Sequence, residues 1–340
     1  MAYTEHTPVK PERIAATAAV SLEESLVLPA AFTRKGIEEF RGAKDDTINV
    51  KVEGVLPYRT YGWRNNRSTS LVFDTYSERS YPMTFGDDIY SGVKLSDEQA
   101  TMDFDGWTKL ASKQTEAIGR GLERKAAAKL EAAPYEVEVQ LDEANLRGSL
   151  ARLKQVFDRL MVPGQRRIFV SDDLEIALLD DDKLNLASNV GEAEAVSALR
   201  EATLGRKYGF EFVKAQELTA GVNVAAVDGG FIFLTAAPAV PQSAWGVVGF
   251  YEGVALRWIK GFDVTQNVEM SVFFAYQDFD YVVDPLIGVD GSDQAFVSTT
   301  EHFVRAVKVT VGTGYSVEVD NDELADITGI QSTDGLNDGA

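Results

Sequence analysis

The segment from Gly106 to Ala132 places the strongest constraint on the fold, because its pattern predicts one long helix with a single packed face. The residues of that face recur at helical spacing, and Pro134 stops the run. They are Trp107, Leu110, Ala111, Gln114, Ile118, Gly121, Leu122, Ala126 and Leu130. At roughly 1.5 Å per residue such a helix is about 40 Å long, which is long for a globular protein. Charged residues line the opposite side, so only one stripe of the helix is expected to pack.

A long β-hairpin is predicted ahead of this helix, over residues 47–84. Ile48, Val50 and Val52 alternate with polar residues, which is typical of a half-buried strand. The sequence GWRNNRS supplies turn residues, and SLVFDTY at 70–76 is predicted as the return strand. A two-stranded hairpin is only marginally stable alone in water. If this one stays ordered, something outside the subunit must cover it, so the architecture implies neighbours.

The stretch from Tyr58 to Phe85 differs in composition from the rest of the chain. The whole protein carries a formal charge of −20, yet this stretch has four arginines against Asp74 and Glu78. Arginine interleaved with aromatic residues is typical of a contact surface for protein or nucleic acid. The candidate contact residues are Arg59, Tyr61, Trp63, Arg64, Arg67, Phe73, Tyr76, Arg79 and Tyr81. Two alternatives remain open: the rings fill the subunit's own core, or the direct partner is nucleic acid.

The remaining elements indicate an α+β protein. Residues 1–45 are predicted as an extended arm that contains a short helix near 14–27. Strands are predicted at YEVEVQL, RRIFV, GFEFV, GGFIFLTA, GVALRWI, VEMSVFFAYQDFDYVVD and HFVRAVKVTVG. Helices are predicted between the earlier strands, one of them capped by Ser171 and another over 192–204. The acidic tail after Val319 is expected to be partly disordered.

No catalytic or metal-binding constellation stands out in the sequence. The chain has no cysteine and 2 histidines, which excludes disulfides, thiolate chemistry and cysteine metal sites. His302 is expected to be a partly exposed residue at a strand end, and the aspartates at 180–182 are interpreted as a charged helix end. No apolar run reaches the roughly 18–20 residues that a membrane span needs. The sequence therefore predicts no catalytic residue, no cofactor, no metal and no membrane partner.

The order of these pieces resembles the major capsid proteins of tailed double-stranded DNA bacteriophages, which share the Hong Kong 97-type fold. VKLSDEQATMDFDGWTKLASKQTEAIGRGLERKAAAKL, residues 93–130, resembles the last strand of an extended loop running into a spine helix. MVPGQRRIFVSDDLEIALL, residues 161–179, resembles a strand and helix of the mixed lobe in that family. LREATLGRKYGFEFVKAQEL and GVALRWIKGFDV follow in the expected order. The likeness spans nearly the whole chain and rests on order and spacing rather than on one signature motif.

The resemblance implies a division of the chain into segments. In chain order they are an N-terminal arm (1–45), an extended loop (46–105), the spine helix with the start of the peripheral domain (106–145), the axial domain (146–250), peripheral-domain strands (251–290), a return to the axial domain (291–320) and an acidic, partly disordered tail (321–340). YEVEVQL would join the peripheral domain. The extended loop would lie on a neighbouring subunit, with Trp63, Arg64 and Arg67 as its anchors.

The resemblance also implies a structural, non-enzymatic function. The chain would assemble with itself through pentamers and hexamers into an icosahedral shell around a phage genome, in the cytoplasm of the host. A separate scaffolding protein is expected because the arm is short, with a portal protein and a decoration protein as further partners; packaged DNA would be contacted only non-specifically. The lysine–asparagine cross-link of some family members is not predicted. Two alternatives stay open: an encapsulin-type nanocompartment shell, and an α+β enzyme that acts through carboxylates.

Overall fold

The computed structural model describes residues 11–35, 47–52, 55–61, 70–71, 73–74, 76, 79–84, 86–96, 107–180, 206–237, 239–242, 244–251, 254–289 and 295–332. The chain divides into two compact units. Unit 1 draws on Met1–Ile48, Met83–Lys129 and Ile232–Asp280, and unit 2 on Asn49–Pro82, Leu130–Phe231 and Tyr281–Ala340. Neither unit is a continuous stretch of chain.

The described helices and strands are numbered separately, each set in chain order. The helices are α1 (Pro11–Ser25), α2 (Leu28–Ala31), α3 (Trp107–Glu131), α4 (Leu146–Arg159), α5 (Asp172–Asp180) and α6 (Asp322–Thr328). The strands are β1 (Thr33–Lys35), β2 (Thr47–Val52), β3 (Arg79–Thr84), β4 (Asp87–Ser96), β5 (Val137–Asp142), β6 (Arg166–Val170), β7 (Arg206–Lys207), β8 (Phe210–Lys214), β9 (Asn223–Val227), β10 (Phe231–Ala236), β11 (Trp245–Tyr251), β12 (Val254–Asp263), β13 (Val268–Tyr281), β14 (Ile287–Val289), β15 (Ala295–Val297), β16 (Ala306–Gly312) and β17 (Ser316–Val319).

Unit 1 is built on a mixed sheet with the order β1-β10-β13-β12-β11, in which β4 also pairs with β13. Strands β11, β12 and β13 are successive antiparallel neighbours, whereas β1 joins β10 in parallel. The 14-residue strand β13 organises this sheet, because it pairs with β10, β12 and β4. Every second residue of β13 from Ser271 to Phe279 is buried, so one face of the sheet forms the core of the unit.

A buried polar network fixes α3 on that face. Gln114 Nε2 donates to the carbonyl oxygens of Ser91 and Ser271, both at 2.9 Å. The Ser271 hydroxyl donates to Gln114 Oε1 at 2.9 Å, and Trp258 Nε1 donates to the same hydroxyl oxygen at 2.9 Å. Each group finds a partner, which avoids the roughly 1–3 kcal/mol cost of a buried unsatisfied group. The network therefore sets the position of α3 on β4, β12 and β13.

The long helix predicted over residues 106–132 is confirmed, because α3 spans Trp107–Glu131. The predicted packed face is also confirmed at six of its positions. The buried members are Ala111, Gln114, Ile118, Leu122, Ala126 and Leu130.

Helix α1 packs on β11 and β12 through a stripe of small residues. Ala15, Ala18 and Ala19 are buried, and a Cβ added to Gly249 of β11 would lie only 2.3 Å from the Ala15 carbonyl oxygen. The short helix expected near residues 14–27 is confirmed, because α1 spans Pro11–Ser25 and its alanine stripe gives it a packing face. Pro11 occupies the first position of α1, where the missing N–H of proline does not interrupt the helix.

Unit 2 is built on a sheet with the order β17-β5-β16-β9-β6-β8-β7. The pairs β5–β16 and β6–β8 are parallel, and the inner strand β9 is buried along its whole length. Helix α4 packs against β5 with Leu146, Leu150, Leu153 and Phe157 in the core. A smaller antiparallel pair is formed by β14 and β15, and α6 packs against β14 and β17.

Asn223 ties α5 to the sheet of unit 2 from a fully buried position. Its Oδ1 accepts from Ser171 N at 2.7 Å and from Ser171 Oγ at 3.0 Å, and its Nδ2 donates to Val309 O at 3.4 Å. Ser171 precedes α5 as predicted, but its hydroxyl is directed to Asn223. The side-chain amide of Asn223, which lies in β9, thus links the start of α5 to β16.

The structure places some strands differently from the prediction. Strand β5, from the YEVEVQL segment, pairs with β16 and β17 in unit 2 and not with the long strands β12 and β13. Strands β10 and β11, expected in the axial domain, belong to the sheet of β12 and β13. Alternating polarity determines which face of a strand is buried, but it does not identify the partner strand. The helix predicted over 192–204 lies outside the described residues.

Candidate inter-subunit contact surface

The predicted hairpin is present as a ribbon of β2 and β3, with one correction. The return strand is β3, which begins at Arg79, and not the segment SLVFDTY. The described residues of that segment, 70–71, 73–74 and 76, belong to no regular element. Asp74, in the middle of the predicted strand, instead forms an ion pair with Arg59.

Arg59 and Asp74 brace the two arms of the loop. Arg59 Nε donates to Asp74 Oδ2 at 2.9 Å, and Nη2 donates to Oδ1 at 2.6 Å. This hydrogen bonding lowers the pKa of the Asp74 carboxyl and raises the pKa of Arg59 relative to their ordinary values. Exposed ion pairs contribute little stability, but a bidentate pair fixes distance and orientation together. The two arms are therefore held in a defined geometry.

Near this brace the loop exposes large apolar side chains, which we call the loop patch. The loop patch consists of Leu56, Tyr58, Leu71, Phe73 and Tyr76, each about half exposed or more. Phe73 is 88% exposed, the highest value among the large apolar residues that the structure describes. Several large apolar side chains exposed on one loop favour an interaction site. The alternative in which these rings fill the subunit's own core is wrong for Phe73 and Tyr76.

The predicted contact residues are described only in part. Arg59, Phe73 and Tyr76 are exposed, Tyr61 is half-buried, Arg79 and Tyr81 lie in β3, and Trp63, Arg64 and Arg67 fall outside the described residues. Sequence reasoning missed Leu56 and Leu71 in the loop patch, and it missed the brace. No local pattern in the sequence marks the Arg59–Asp74 pair, whose members are 15 residues apart.

His302 is fully buried, which corrects the expectation of a partly exposed strand end. Its Nδ1 lies 2.7 Å from Glu136 Oε2, and its Nε2 lies 3.3 Å from Thr300 Oγ1 and 3.5 Å from Glu323 Oε2. Its backbone pairs with that of Asp284. Both ring nitrogens are thus engaged inside unit 2, where the ring connects the segment before β16 with β5 and α6.

Glu323 holds the start of α6 against the segment before β16. Its carboxylate accepts from Thr299 N at 2.7 Å and from Thr300 Oγ1 at 2.8 Å. These hydrogen bonds, with the one from Thr299 N foremost, lower the pKa of Glu323 to about 2. The helix start is further ordered by Asn321, whose side chain accepts from the backbone N–H groups of Glu323 and Leu324.

Three further observations concern other kinds of site. Across the part of the chain that the structure describes, no group of three or more His, Cys, Asp or Glu residues is arranged to hold a metal ion. None of the described helices is long and apolar enough to cross a membrane. Asp180 is the last residue of α5, as expected for a charged helix end.

Comparison with solved structures gives the fold. The Mycobacterium phage Che8 structure matches with a TM-score of 0.57 at 12% identity, over 84% of this chain and 90% of that chain. The capsid structure of Cyanophage P-SCSP1u matches with a TM-score of 0.56 at 10% identity, over 84% and 87% of the two chains. The asymmetric unit of the bacteriophage PhiM1 mature capsid matches with a TM-score of 0.54 at 10% identity, over 84% and 87%. The chain thus has the α+β, Hong Kong 97-type fold.

Comparison with models of protein families identifies the family to which the chain belongs. No curated protein sequence matches the chain. The model of the phage capsid protein family matches residues 90–289, which is more than half of the 340 residues. The match runs from β4 through α3 and into the strands of both units, and it indicates a structural protein. The chain therefore belongs to the phage capsid protein family and is a component of a virion shell.

Proposed function

We propose that this chain is the major subunit of its shell, and that copies assemble through pentamers and hexamers into an icosahedral capsid around the phage genome. The loop patch is the observation that carries the proposal. It presents apolar side chains on a loop whose base is a two-stranded ribbon, and a neighbouring copy that covers it removes apolar area from water. Such burial is worth about 25 cal/mol per Å².

Rings follow from the geometry of such a contact. When a loop on one copy meets a different surface on the next, the interface is heterologous, and it closes into a ring if the rotation permits. Five-fold and six-fold rings of one subunit are the components of an icosahedral shell. In this arrangement unit 1 acts as the peripheral domain and unit 2 as the axial domain around the ring axis.

The charge distribution supports a protein partner for the loop. The chain carries −20 overall, whereas the loop is rich in arginine, so the loop is drawn towards the acidic surface of another copy. Affinity for nucleic acid comes largely from lysine and arginine contacts to phosphate, so packaged DNA meets this shell only non-specifically. A scaffolding protein, a portal protein and a decoration protein complete the set of proposed partners, with assembly in the host cytoplasm.

Paired substitutions at the loop anchors test this function. Trp63→Ala combined with Arg64→Ala should leave the subunit folded, by circular dichroism, but lower the yield of closed shells in electron microscopy. Aromatic and arginine residues dominate interface energetics, which is why this pair is chosen. The matched control is Ile176→Ala, an exposed apolar position on α5. A normal shell yield from the double variant would refute the role of the loop.

A further inference from the structure

Unit 2 contains a cavity of about 340 Å³ with mainly apolar walls. Its walls come from residues 160–163 after α4, residues 285–287 at the start of β14, Val304, and Val55 at the base of the loop. Met161 lies in this wall and is 63% exposed, so the cavity opens to solvent. We call it the Met161 cavity.

The polar groups in the wall already have partners. Arg305 Nη2 donates to Asp284 Oδ1 at 2.6 Å, Arg305 Nε donates to the second oxygen of Asp284, and Nη1 donates to Gly229 O at 3.0 Å. Asp228 Oδ1 lies 2.6 Å from Arg167 Nη1. A group that enters the cavity therefore contributes apolar surface rather than new hydrogen bonds. Ligand pockets span roughly 300–1,000 Å³, so this one is at the small end and suits a single ring.

Phe73 is the ring that the chain itself offers. It is 88% exposed, so it does not occupy the cavity of its own subunit. It directly precedes Asp74, which the bidentate bond to Arg59 holds in place. The ring is therefore exposed next to the ion pair that joins the two arms of the loop, where another copy can cover it.

The charges around the two surfaces are complementary. Both wall carboxylates are paired, Asp284 with Arg305 and Asp228 with Arg167, so the attraction comes from the net charge of −20 on the copy that carries the cavity. The stretch that carries Phe73 has four arginines against two acidic residues. The approach of the loop to the cavity of another copy is thus electrostatically favoured.

We propose that Phe73 of one copy inserts into the Met161 cavity of the next copy in the ring. This inference rests on the proposed function and adds to it the surface that receives the loop. Because Val55 belongs to both the cavity wall and the base of the subunit's own loop, each insertion also supports the base of the next loop. Successive insertions would then connect the subunits around a capsomer.

Cysteine cross-linking in mixed shells tests the insertion, because the natural chain has no cysteine to react. Phe73→Cys subunits and Met161→Cys subunits are co-assembled with an excess of wild-type subunits, and a short bismaleimide cross-linker is added. The expected result is a cross-linked dimer, which is intermolecular by construction. The matched control replaces Met161→Cys by Val264→Cys, an 82% exposed position in unit 1, and should give no dimer.

The outcomes separate this inference from the proposed function. Mixed shells that form without a Phe73–Met161 cross-link overturn the inference and leave the cavity to another occupant, while the shell function stands. If wild-type subunits form no shells under any assembly condition, the proposed function fails and the inference fails with it.

A second variant tests the cavity without altering the loop. Met161→Glu places a charge at its apolar mouth and should cause a loss of shells from a folded subunit. Ile176→Glu, at a position exposed to a similar extent (65% against 63%), should assemble normally. Equal shell yields from the two variants would contradict the insertion.

Discussion

At the residue scale, two glutamates hold one short segment of unit 2 from opposite sides. Glu136, just before β5, lies 2.7 Å from His302 Nδ1 and accepts from Phe303 N at 2.7 Å. Glu323, in the first turn of α6, accepts from Thr299 and Thr300. The segment between β15 and β16 is thereby attached both to the sheet and to the C-terminal helix.

The low pKa of Glu323 predicts how this attachment responds to acid. Because the folded-state pKa is lowered from 4.5 to about 2, the stabilisation is fully present above pH 4.5 and is lost as the pH falls towards 2. Glu323→Gln should therefore lower the unfolding midpoint at pH 7, and its difference from wild type should shrink between these two pH values. Urea titrations across that range measure the difference, and one that is independent of pH would contradict the assignment.

Gly249 predicts a steric limit at the contact between α1 and β11. A Cβ there would lie 2.3 Å from the Ala15 carbonyl oxygen, so Gly249→Ala must displace backbone. Overpacking of this kind costs about 1–3 kcal/mol. Gly261→Ala in the neighbouring strand is the control, since its Cβ would meet only Met270 Cε at 3.6 Å. Equal unfolding free energies for the two variants would show that α1 does not pack there.

Some of these residues could be predicted from the sequence and others could not. Composition favoured a contact surface over residues 58–85 but left open whether its rings fill the subunit's own core, and only the structure shows that Phe73 and Tyr76 are exposed. His302 could not be predicted, because its partners Glu136 and Glu323 are far away in sequence and converge only through strand pairing. Trp63, Arg64 and Arg67 remain predictions.

At the element scale, α3 was the most predictable part of the chain. A 25-residue amphipathic helix carries its own signal, and the buried stripe from Ala111 to Leu130 matches it. Gln114 lay on that stripe, but its bonds to Ser91 and Ser271 depend on strands distant in sequence. Periodicity thus predicts which face of a helix is buried, but it does not predict which residues that face contacts.

Gly121 allows a paired test of α3. A Cβ at this position would lie 3.5 Å from Ile89 Cδ1, an ordinary contact. Gly121→Ala should therefore stabilise the subunit by up to about 1 kcal/mol through helix propensity. Gly121→Pro should prevent soluble folding, since proline in a helix interior costs about 3 kcal/mol or more. A soluble proline variant with wild-type stability would contradict the role of α3.

The hairpin of β2 and β3 was less predictable than α3. The start of β2 was predictable from strict alternation, but its return strand was not. SLVFDTY has a strand-like composition, yet Asp74 bonds to Arg59 and Phe73 points to solvent. In a loop that exposes its apolar side chains, the side-chain pattern does not report on the subunit's own core.

At the scale of the whole molecule, the order of elements carried more information than any single motif. An arm, a hairpin, a long helix and a mixed α/β region in that order indicated the capsid fold, and the family model and structural matches show it. The division into sheets was less predictable, because each unit combines segments far apart in sequence. When two strands that pair are far apart in the sequence, the residues near each strand carry no pattern that identifies its partner.

The most direct test of the central claim is electron microscopy with light scattering on the purified wild-type protein, at high concentration and with a co-expressed scaffolding protein. Self-assembly predicts closed shells, or sheets and tubes, built from rings of five and six subunits. A homogeneous monomer or dimer under both conditions would contradict the claim that this chain builds a shell from copies of itself.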